Sequence, residues 1–540
     1  MKKLKFKYIL LFVAIIFCKD VIAQAAVTDT MATASSILEI LKADRYNFEK
    51  RGQTNFISLA GNVTLKKENT LFYCDSAVLD QNNNIVESFG KVHINDADSV
   101  HTYADYMKYI GKEKKAYLRG NVRLTDNKGV LTTSELEYEL DGKIGTYKNG
   151  GKIVQGNTTL TSTEGIYYGD TQDMYFRKKV VLLDPEYKVY TDTLMYNLNT
   201  EVATFLAKTR IIGKERTIET TSGYYDKKNG KTVFSSRSTI IEKDYDLVAD
   251  RIAYDNTTGF GQAQGNAVYK TKDSGNRTTV IANDIKFNRI ASSFLATVKP
   301  LMIMEQNNDS IFIAADTLYS ARLTDLRKSR PVPEIRDSNA VKKDTAIAKK
   351  DSSSNRFFEA YFNVRIFSDS MQAIGDSLFY SLEDSAFRLF KQPIVWADNN
   401  QVTGDTIYLY TKYKKPERMY VYENAMAVSL VQGEYFNQVR GNSINGFFKE
   451  GNINNMRARG SSESVYYAVD DKDGFIGVNK SSADVIDMYF VDKKPHRVVF
   501  RNDLKGTTYP MRQVDHIEIR LRGFKWLEEL RPKTWQELLQ

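Results

Sequence analysis

The chain has little of the residues that build disulfide frameworks and transition-metal sites. Its 540 residues include only 2 cysteines and 4 histidines, too few for a disulfide scaffold or a zinc-finger array. Proline (9) and tryptophan (3) are also scarce, whereas 33 tyrosines and 28 phenylalanines are present, a balance that favours pleated sheets over helices. With 42% hydrophobic and 26% charged residues, the composition excludes a globally disordered chain.

The sequence also lacks an apolar run close to the ~20 residues that a membrane-spanning helix needs. The longest candidate, residues 8–18, follows Lys2, Lys3, Lys5 and Lys7 and precedes the small residue Ala23. That order is typical of a secretory signal peptide. We therefore predict that residues 1–23 are a signal peptide and that the mature chain is exported.

No concentrated basic stripe is present, although the formal net charge is +9. Five of the lysines lie in the predicted signal peptide, and elsewhere basic residues alternate with acidic ones, as in residues 112–115. Nucleic-acid recognition needs clustered lysine and arginine, so we expect no nucleic-acid partner. Signal-peptide cleavage leaves Cys74 as the only thiol, and we interpret it as a small buried residue.

An internal repeat with a period near 30 residues runs through most of the chain. Each unit has a small residue, an aspartate, two alternating apolar positions, a turn, and a Gly-Asn step leading into Val-x-Leu. Repeats of this length indicate a stacked architecture, and period-two alternation indicates strands. The clearest copies, each 21 residues long, begin at Cys74, Ala104, Thr191 and Ala249.

Alternation within each unit places its apolar pair on one face. Stacked units therefore build two continuous apolar stripes, and two sheets that face each other with these stripes inward bury both. The predicted fold class is all-β: an elongated twisted β-jellyroll or solenoid-like stack of ~30-residue two-strand repeats, in two stacks joined by a linker.

The repeat pattern is interrupted between residues 321 and 356, where prolines, paired lysines and serines replace aromatic residues. We interpret this stretch as a flexible linker, with a long surface loop within one sheet as the alternative. A short capping helix is predicted within Met31 to Tyr46. The predicted organisation is a signal peptide (1–23), a lead segment with the short helix (24–47), an N-terminal stack (48–323), a linker (324–356), a second stack (357–500) and a C-terminal tail (501–540).

The chain lacks the nucleotide, hydrolase and metal motifs that would indicate an enzyme. His93 alternates with apolar neighbours and is predicted to face solvent. The aspartates that recur at one position of the unit, such as Asp105 and Asp250, are more simply turn or capping residues than an acid–base pair. We therefore predict no enzymatic activity, no cofactor and no metal.

The repeated small-Asp-x-Leu-x-Tyr strand, followed by Gly61-Asn62-Val63-Thr64-Leu65 or Gly120-Asn121-Val122-Arg123-Leu124, resembles the OstA/LptA family of lipopolysaccharide-transport proteins. It is most similar to the long OstA-like proteins of the Bacteroidetes group. The resemblance covers residues 48–323 well and 357–500 more loosely. It implies a β-jellyroll open along one side, whose interior holds the acyl chains of lipid A.

The resemblance also implies candidate site residues. The inward positions of the stack would contact lipid, and Arg119, Arg123 and Arg251 would meet its phosphates. The predicted lipid-binding residues are Val63, Leu65, Val92, Ile94, Met107, Tyr109, Val122, Leu124, Leu136, Tyr138, Ile166, Tyr168, Leu194, Tyr196, Ile252 and Tyr254.

The function expected from the resemblance is periplasmic binding and transport of lipopolysaccharide during export to the outer membrane. Its expected partners are lipopolysaccharide itself, transport components at the inner and outer membranes, and further copies of the chain stacked head to tail. The expected location is the periplasm, with outer-membrane association as a variant. The alternative is an exported structural or adhesive β-solenoid with a closed core and no lipid ligand.

Overall fold

The computed structural model describes residues 38–126, 128–272, 277–305, 310–333, 355–412, 415–470 and 474–539. The predicted signal peptide and most of the predicted linker lie outside these ranges. Among the residues that the model describes, no helix is both long and apolar enough to cross a membrane.

Strands dominate the described chain, as predicted. In the first part they are β1 (Glu39–Lys42), β2 (Arg45–Arg51), β3 (Thr54–Lys67), β4 (Thr70–Asp80), β5 (Ile85–Asp96), β6 (Val100–Ile110), β7 (Lys115–Thr125), β8 (Val130–Glu139), β9 (Ile144–Tyr147), β10 (Gly151–Gln155), β11 (Thr158–Ser162), β12 (Glu164–Tyr168), β13 (Asp173–Leu183), β14 (Tyr187–Asn197), β15 (Val202–Phe205), β16 (Thr209–Gly213), β17 (Arg216–Thr220), β18 (Gly223–Asp226), β19 (Lys231–Phe234) and β20 (Ser238–Glu242).

The remaining strands continue the same series. They are β21 (Tyr245–Ala249), β22 (Arg251–Asp255), β23 (Phe260–Thr271), β24 (Thr278–Asn288), β25 (Ser293–Thr297), β26 (Leu301–Glu305), β27 (Ser310–Ala314), β28 (Thr317–Arg322), β29 (Arg356–Phe367), β30 (Gln372–Ser381), β31 (Ala386–Phe390), β32 (Ile394–Ala397), β33 (Asn400–Thr403), β34 (Thr406–Lys412), β35 (Lys415–Gln432), β36 (Tyr435–Lys449), β37 (Asn452–Val469), β38 (Phe475–Val491), β39 (Lys494–Arg501) and β40 (Lys505–Tyr509). One helix, α1 (Leu323–Ser329), follows β28, and short 3-10 turns occupy Met511–Gln513, Glu528–Leu530 and Gln536–Leu539.

Each long strand bends near its middle, so that its two halves belong to two facing sheets. In β4, residues 70–74 pair with 63–67 of β3, and residues 76–80 pair with 56–60, with a register shift between the two sets. We call the sheet that contains residues 70–74 sheet A and the sheet that contains residues 76–80 sheet B. Further along, separate short strands take the place of the two halves: β10 and β11 extend sheet A, while β9 and β12 extend sheet B.

The Gly-Asn step of the repeat is the bend between the sheets. Gly120 and Asn121 have φ of 74° and 45°, which only glycine and, less readily, asparagine adopt without large strain. A Cβ atom on Gly120 would lie 2.5 Å from Asp105 Oδ2, and Asn121 Nδ2 donates a hydrogen bond of 2.8 Å to the same oxygen. The repeated aspartate therefore caps the bend of the neighbouring strand. The same Asn–Asp bond recurs at Asn62–Asp44, Asn266–Asp250, Asn363–Asp316 and Asn424–Asp405.

The space between the sheets is filled by the inward side chains of successive rungs. Met107, Leu194 and Ile252 are fully buried, and one core cluster extends from Leu38 to Met488. Because neighbouring rungs cover each other's apolar faces, burial grows with the number of rungs. The all-β jellyroll-like stack predicted from the repeat is confirmed.

Strand pairing continues from the first predicted stack to the second. In sheet B, β28 pairs with β29 from Thr317↔Tyr361 to Arg322↔Arg356, and in sheet A, β27 also pairs with β29. Helix α1 packs Leu323 and Leu326 against Phe357 on the outer face. The predicted linker thus connects two strands that are direct neighbours in sheet B.

The lead segment differs from the prediction in its described part. The predicted helix ends at Tyr46, but Glu39–Lys42 and Arg45–Arg51 are strands that pair with β3. The first long strand has an edge of unpaired backbone groups, and pairing satisfies them. Strand pairing with β3 therefore outweighs the weak local helix propensity of this segment, and the helix prediction is wrong over residues 38–46.

The C-terminal tail folds back over the outer face of sheet A. We call residues 510–539 the C-terminal arm. Three buried glutamines of sheet A bind its backbone or side chains in succession: Leu521 N donates to Gln438 Oε1 at 2.9 Å, Leu527 N to Gln401 Oε1 at 2.7 Å, and Arg531 Nε to Gln372 Oε1 at 2.7 Å. The arm therefore crosses the strands, held at roughly one glutamine per rung.

Candidate functional site

Most residues predicted to face the interior do so. Apart from Ile166 and Tyr168, every residue of the predicted inward set is buried, and none is more than 9% exposed. In β12, Gly165 and Tyr167 are the buried residues, whereas Ile166 and Tyr168 lie on the other face. The inward placement of Ile166 and Tyr168 is therefore wrong by one residue.

The shift in β12 follows from a contact with the neighbouring strand β9. Gly165 pairs with Tyr147 of β9, and a Cβ atom on Gly165 would lie 2.4 Å from the Tyr147 ring. The ring occupies the space that an inward side chain at residue 165 would need. The next inward residue is then Tyr167, only 3% exposed, which the repeat pattern did not select.

Along one side of the stack, two rows of turns face each other across a gap, and this gap is the route from solvent to the interior on that side. Rim A consists of the turns at the free edge of sheet A, such as residues 97–99 and 184–186, and rim B of those at the free edge of sheet B, such as residues 111–114 and 227–230. On the opposite side, the Gly-Asn bends join the sheets covalently. Anything that enters the interior from the side must pass between the rims.

A row of polar contacts closes this gap over the first part of the chain. We call it the rim ladder. Its members recur about once per repeat, and each joins a rim A residue to a rim B residue or to a strand end beside it. They are Lys67 Nζ to Tyr109 Oη (2.5 Å), Tyr138 Oη to Asp96 Oδ2 (3.4 Å), Tyr167 Oη to Asp126 Oδ2 (3.4 Å), Lys128 Nζ to Gln172 Oε1 and Asn199 Oδ1 (3.1 Å each), Lys227 Nζ to Asp184 Oδ2 (3.1 Å), Arg216 Nη2 to Asn256 Oδ1 (3.1 Å) and the ion pair of Arg289 Nε with Glu242 Oε1 (3.6 Å).

The protonation states of two rim-ladder residues, Tyr138 and Asp184, suit the contacts that these residues make. Burial raises the pKa of Tyr138, and the charge of Asp96 raises it further, so the phenol stays protonated and donates. Burial alone would raise the pKa of Asp184, but hydrogen bonds from Thr158 and from the backbone of Glu186, together with Lys227, hold it below its ordinary value. Tyr138 and Asp184 are thus in the protonation states that their contacts need.

Beyond the Arg289–Glu242 contact the rims part, and a cleft of about 880 Å³ opens between the sheets. The next ion pair across the rims in the described chain is Lys493 with Asp398, at 2.8 Å. Ser320 and Arg356 line the cleft, and they flank residues 323–355, a 33-residue insertion at a position where the earlier repeats have a short turn of rim B. The cleft volume falls within the range of ~300–1,000 Å³ typical of small-molecule sites.

Aromatic side chains form most of the apolar part of the cleft wall. The Tyr269 ring lies 5.0 Å from that of Tyr245 and 5.4 Å from that of Phe294, and the Tyr380 and Phe387 rings are 4.4 Å apart, measured between centroids. Other apolar lining residues include Leu247, Ile285, Phe287, Met302, Met304 and Phe358. A surface of this kind removes an alkyl chain from water, and its tyrosine hydroxyls suit a wet margin.

Charged residues at the cleft margin are mostly paired with each other. Arg277 Nη1 lies 3.1 Å from Glu305 Oε2, and Lys272 Nζ lies 2.8 Å from Asp246 Oδ1. Arg356 lines the cleft as well, and within the described residues it donates hydrogen bonds to neutral groups, the Ser292 carbonyl and the Ser320 hydroxyl. The described margin therefore has a local excess of positive charge at Arg356.

The arginines predicted to meet phosphates lie elsewhere. Arg119 is exposed and sits 3.5 Å from Glu135, Arg123 stacks on Tyr103 with its Cζ 4.3 Å from the ring centroid, and Arg251 is exposed beside Gln264. All three project from the outer faces of the sheets, because they alternate with buried neighbours. The structure does not bring them to the cleft.

His93 is half-buried on the outer face of sheet A. Its ring stacks on Tyr103 at 4.4 Å between centroids and lies 3.1 Å from His101, measured from Nε2 to Nδ1. Burial lowers the pKa of His93, and the neighbouring His101 and Arg123 act in the same direction. This outer ladder stabilises pairing between strands and faces away from the cleft.

Sequence reasoning missed the cleft itself. Phe287 and Tyr269 occupy regular positions of the repeat, so nothing in their local pattern separates them from residues of the sealed interior. The signal that was available is the interruption of the repeat: Arg356 stands at its end, and the cleft lies where the insertion replaces a turn.

Comparison with known proteins gives a family match over part of the chain. Residues 35–192 match the family model described as OstA-like protein. Among solved structures, the chain is similar to LptH from Pseudomonas aeruginosa, described as the LptA homologous periplasmic component of the conserved lipopolysaccharide transport device. The identity is 14%, the match covers 19% of this chain and 79% of that chain, and the TM-score is 0.18. No curated protein matches the chain.

The family match covers the rungs in which the repeat is clearest, including the bends at Gly61, Gly90 and Gly120. The assignment rests on this match and on the repeated Asp, Gly-Asn and Val-x-Leu positions, and the resemblance stated from the sequence is confirmed. Residues 35–192, less than a third of the chain, are therefore similar to the OstA-like protein family.

Proposed function

We propose that the chain is a periplasmic lipopolysaccharide-binding protein that shields acyl chains of lipid A between its two sheets during export to the outer membrane. The cleft lined by Tyr269, Phe287 and Arg356 is the proposed entry and binding site. The partners are lipopolysaccharide and the transport components at the two membranes. No catalytic step is part of the proposal.

One observation carries this proposal. At the cleft, the side chains do not fill the apolar space between the two sheets. Within the described residues, no contact of the rim ladder bridges the rims there, so the space is accessible from outside. Burying an alkyl chain there is favourable by roughly 25 cal/mol for each Å² of apolar surface removed from water. At about 880 Å³, the cleft takes part of a multi-acyl lipid, so the remaining chains need a neighbouring surface or a further copy.

The edge strands at the two ends of the stack could extend this surface by pairing with another protein chain. Every residue of β2 is exposed and β2 pairs only with β3 in the described chain, while β39 pairs only with β38. Exposed edges of this kind accept another strand by backbone pairing. Head-to-tail self-association and docking to the other transport components are therefore proposed at these two ends.

The rim ladder favours the alternative function for the first part of the chain. From Lys67 to Arg289 the gap is bridged about once per repeat, and the inward residues there fill the interior. A sealed interior is what a structural or adhesive solenoid requires. The two candidate functions therefore differ in a measurable way: lipid contact at the cleft, or lipid contact nowhere.

Site-specific photocrosslinking tests the proposal. A photoreactive residue replaces Phe287 in the cleft, Leu194 in the sealed interior, or Arg251 on the outer face, and each purified mature protein is incubated with lipopolysaccharide and irradiated. Crosslinks at residue 287 alone are expected. Leu194 serves as the matched control, because it is equally apolar and inward but lies under the rim ladder.

Each other pattern contradicts part of the account. Crosslinks at residues 194 and 287 together would mean that the rim ladder opens and that the whole interior carries lipid. An absence of crosslinks at residue 287, with the variant folded by circular dichroism, would refute lipid binding at the cleft and leave the closed solenoid as the better account.

A further inference from the structure

We propose that Arg322 and Arg356 form a binding site for the anionic head group of the amphiphile whose chain occupies the cleft. This inference rests on the proposed function, since it assigns a head-group position to the same site. The chemical class is a phosphorylated or carboxylated amphiphile. The two arginines stand at either side of the insertion, the last residue of β28 and the first of β29.

The two guanidinium groups converge on one serine. Arg322 and Arg356 are paired residues of adjacent strands. Arg322 Nη2 donates to Ser292 Oγ at 2.6 Å, and Arg356 Nη1 donates to the Ser292 carbonyl at 2.7 Å. Arg356 Nη2 also donates to Ser320 Oγ at 3.0 Å. Both serines and Arg356 line the cleft, and Arg322 contacts this wall through Ser292.

Both arginines are half-buried, and they lack the carboxylate partners that such arginines normally have. Neither guanidinium forms an ion pair with a carboxylate of the described residues, whereas Arg277 and Arg289 at the same cleft do. Arg322 Nε is buried and has no hydrogen-bond partner. Burial lowers the pKa of Arg356, and the charge of Arg322 acts in the same direction. Two positive charges are thus held side by side, and at least one N–H group, that of Arg322 Nε, has no acceptor among the described residues.

An anion would satisfy both conditions. A phosphate or carboxylate oxygen accepts several charge-assisted hydrogen bonds and neutralises the repulsion between the arginines. A partly buried charge without a countercharge is unfavourable, so two neighbouring uncompensated guanidinium groups are most stable when a ligand supplies the negative charge.

The surroundings favour an amphiphile over a free anion. Tyr269, Phe294 and Phe358 line the cleft together with Arg356, and a cavity of about 880 Å³ is far larger than a phosphate ion needs. The apolar wall and the cationic margin together match a molecule that has an alkyl chain and an anionic head group. The shared chemistry is the anionic oxygen, and the experiment below separates the two sources.

Displacement of a fluorescent probe tests this inference on the full mature chain. N-phenyl-1-naphthylamine is bound to the protein and displaced by dodecyl phosphate, by dodecyl maltoside or by inorganic phosphate, each below its micellar concentration where one exists. The test variant is Arg322→Gln with Arg356→Gln, and Arg251→Gln on the outer face is the control. Melting temperature is measured for each protein without ligand.

For the unaltered protein, dodecyl phosphate is expected to displace the probe at a concentration at least about tenfold lower than dodecyl maltoside, the effect of charge-assisted contacts. In the double variant this difference disappears while dodecyl maltoside acts as before, and Arg251→Gln behaves as the unaltered protein does. The melting temperature of the double variant is not lowered, because uncompensated like charges are removed.

Four results would overturn the inference. Equal displacement by the two alkyl compounds in the unaltered protein would leave a chain site without a head-group site, and the proposed function would stand. Displacement by inorganic phosphate at the concentration of dodecyl phosphate would assign the arginines to a free anion. Loss of dodecyl maltoside binding and of thermal stability in the double variant would assign them a structural role. Failure of every alkyl compound to act on the unaltered protein would refute the cleft as a lipid site and the proposed function with it.

Discussion

The bend between the sheets gives the sharpest prediction about stability. In Gly120→Ala, an alanine must adopt the φ of 74° that glycine has there, which is unfavourable by about 1–2 kcal/mol for an L-residue. Its Cβ atom would lie 2.5 Å from Asp105 Oδ2, so the aspartate must move. The Asn121–Asp105 hydrogen bond of 2.8 Å is then lost, a further ~1–2 kcal/mol for a bond to a charged group.

These contributions predict a local destabilisation of about 2–4 kcal/mol. A long stack of rungs does not unfold in a single step, so a global melting temperature would dilute the effect. Amide hydrogen exchange of peptides from β6 and β7 reports the local opening free energy directly. We expect exchange there to accelerate by about one and a half to three orders of magnitude, with little change in β36 and β37.

Gly129→Ala is the matched control, because its φ is not left-handed and its Cβ atom would meet no atom closer than 3.6 Å. It should change the opening free energy by less than about 0.5 kcal/mol. If Gly120→Ala and Gly129→Ala exchanged at the same rate around the bend, the assignment of the Gly-Asn step and its aspartate cap would be refuted.

Three further predictions concern the interior, the rims and the arm. Tyr167→Ala should destabilise its rung by about 3–5 kcal/mol, whereas Ile166→Ala should have a much smaller effect, as measured by hydrogen exchange of β12. Asp184→Asn should lower the melting temperature at pH 7. Since the pKa of Asp184 is depressed, its contribution is present above about pH 4 and is lost as the pH falls through the folded-state value, so the melting temperatures of variant and unaltered protein should converge as the pH falls below about 4. Gln401→Ala removes the acceptor of the 2.7 Å bond from Leu527 N and should increase proteolysis of the C-terminal arm without changing far-ultraviolet circular dichroism.

Each of these has a result that contradicts it. Equal destabilisation by the two β12 substitutions would restore the inward placement of Ile166. A melting-temperature difference for Asp184→Asn that persists undiminished at pH 3 would show that the carboxylate charge is not what stabilises the rim ladder at Lys227. An arm as resistant to protease in Gln401→Ala as in the unaltered chain would mean that its apolar contacts alone hold it.

The repeat was sufficient to predict the stack and nearly all of its inward residues. Alternation has a period of two, so a residue such as Leu194 or Ile252 can be placed on the inner face once the strand is recognised. The prediction failed at Ile166, because the ring of Tyr147 over Gly165 comes from a different strand. Contacts between strands distant in sequence carry no signal in the local pattern.

The cleft could not be predicted for a similar reason. It exists because the rim contacts end after the Arg289–Glu242 pair and an insertion replaces the next turn of rim B. Whether two rims meet depends on the reach of side chains such as Lys128 and Lys227 across the gap. The arm was also missed: its apolar residues Ile519 and Leu521 are separated by the half-buried Arg520, and the glutamines that bind its backbone lie more than 80 residues earlier in the chain.

The most direct test of the account is a crystal structure of the mature chain grown with lipid A. The account predicts electron density for an acyl chain against Tyr245, Tyr269 and Phe287, with the head group at Arg356 and the rim ladder intact from Lys67 to Arg289. Acyl density between the sheets beneath the rim ladder, with the inward residues displaced, would contradict it, and so would a cleft that stays empty at saturating lipid.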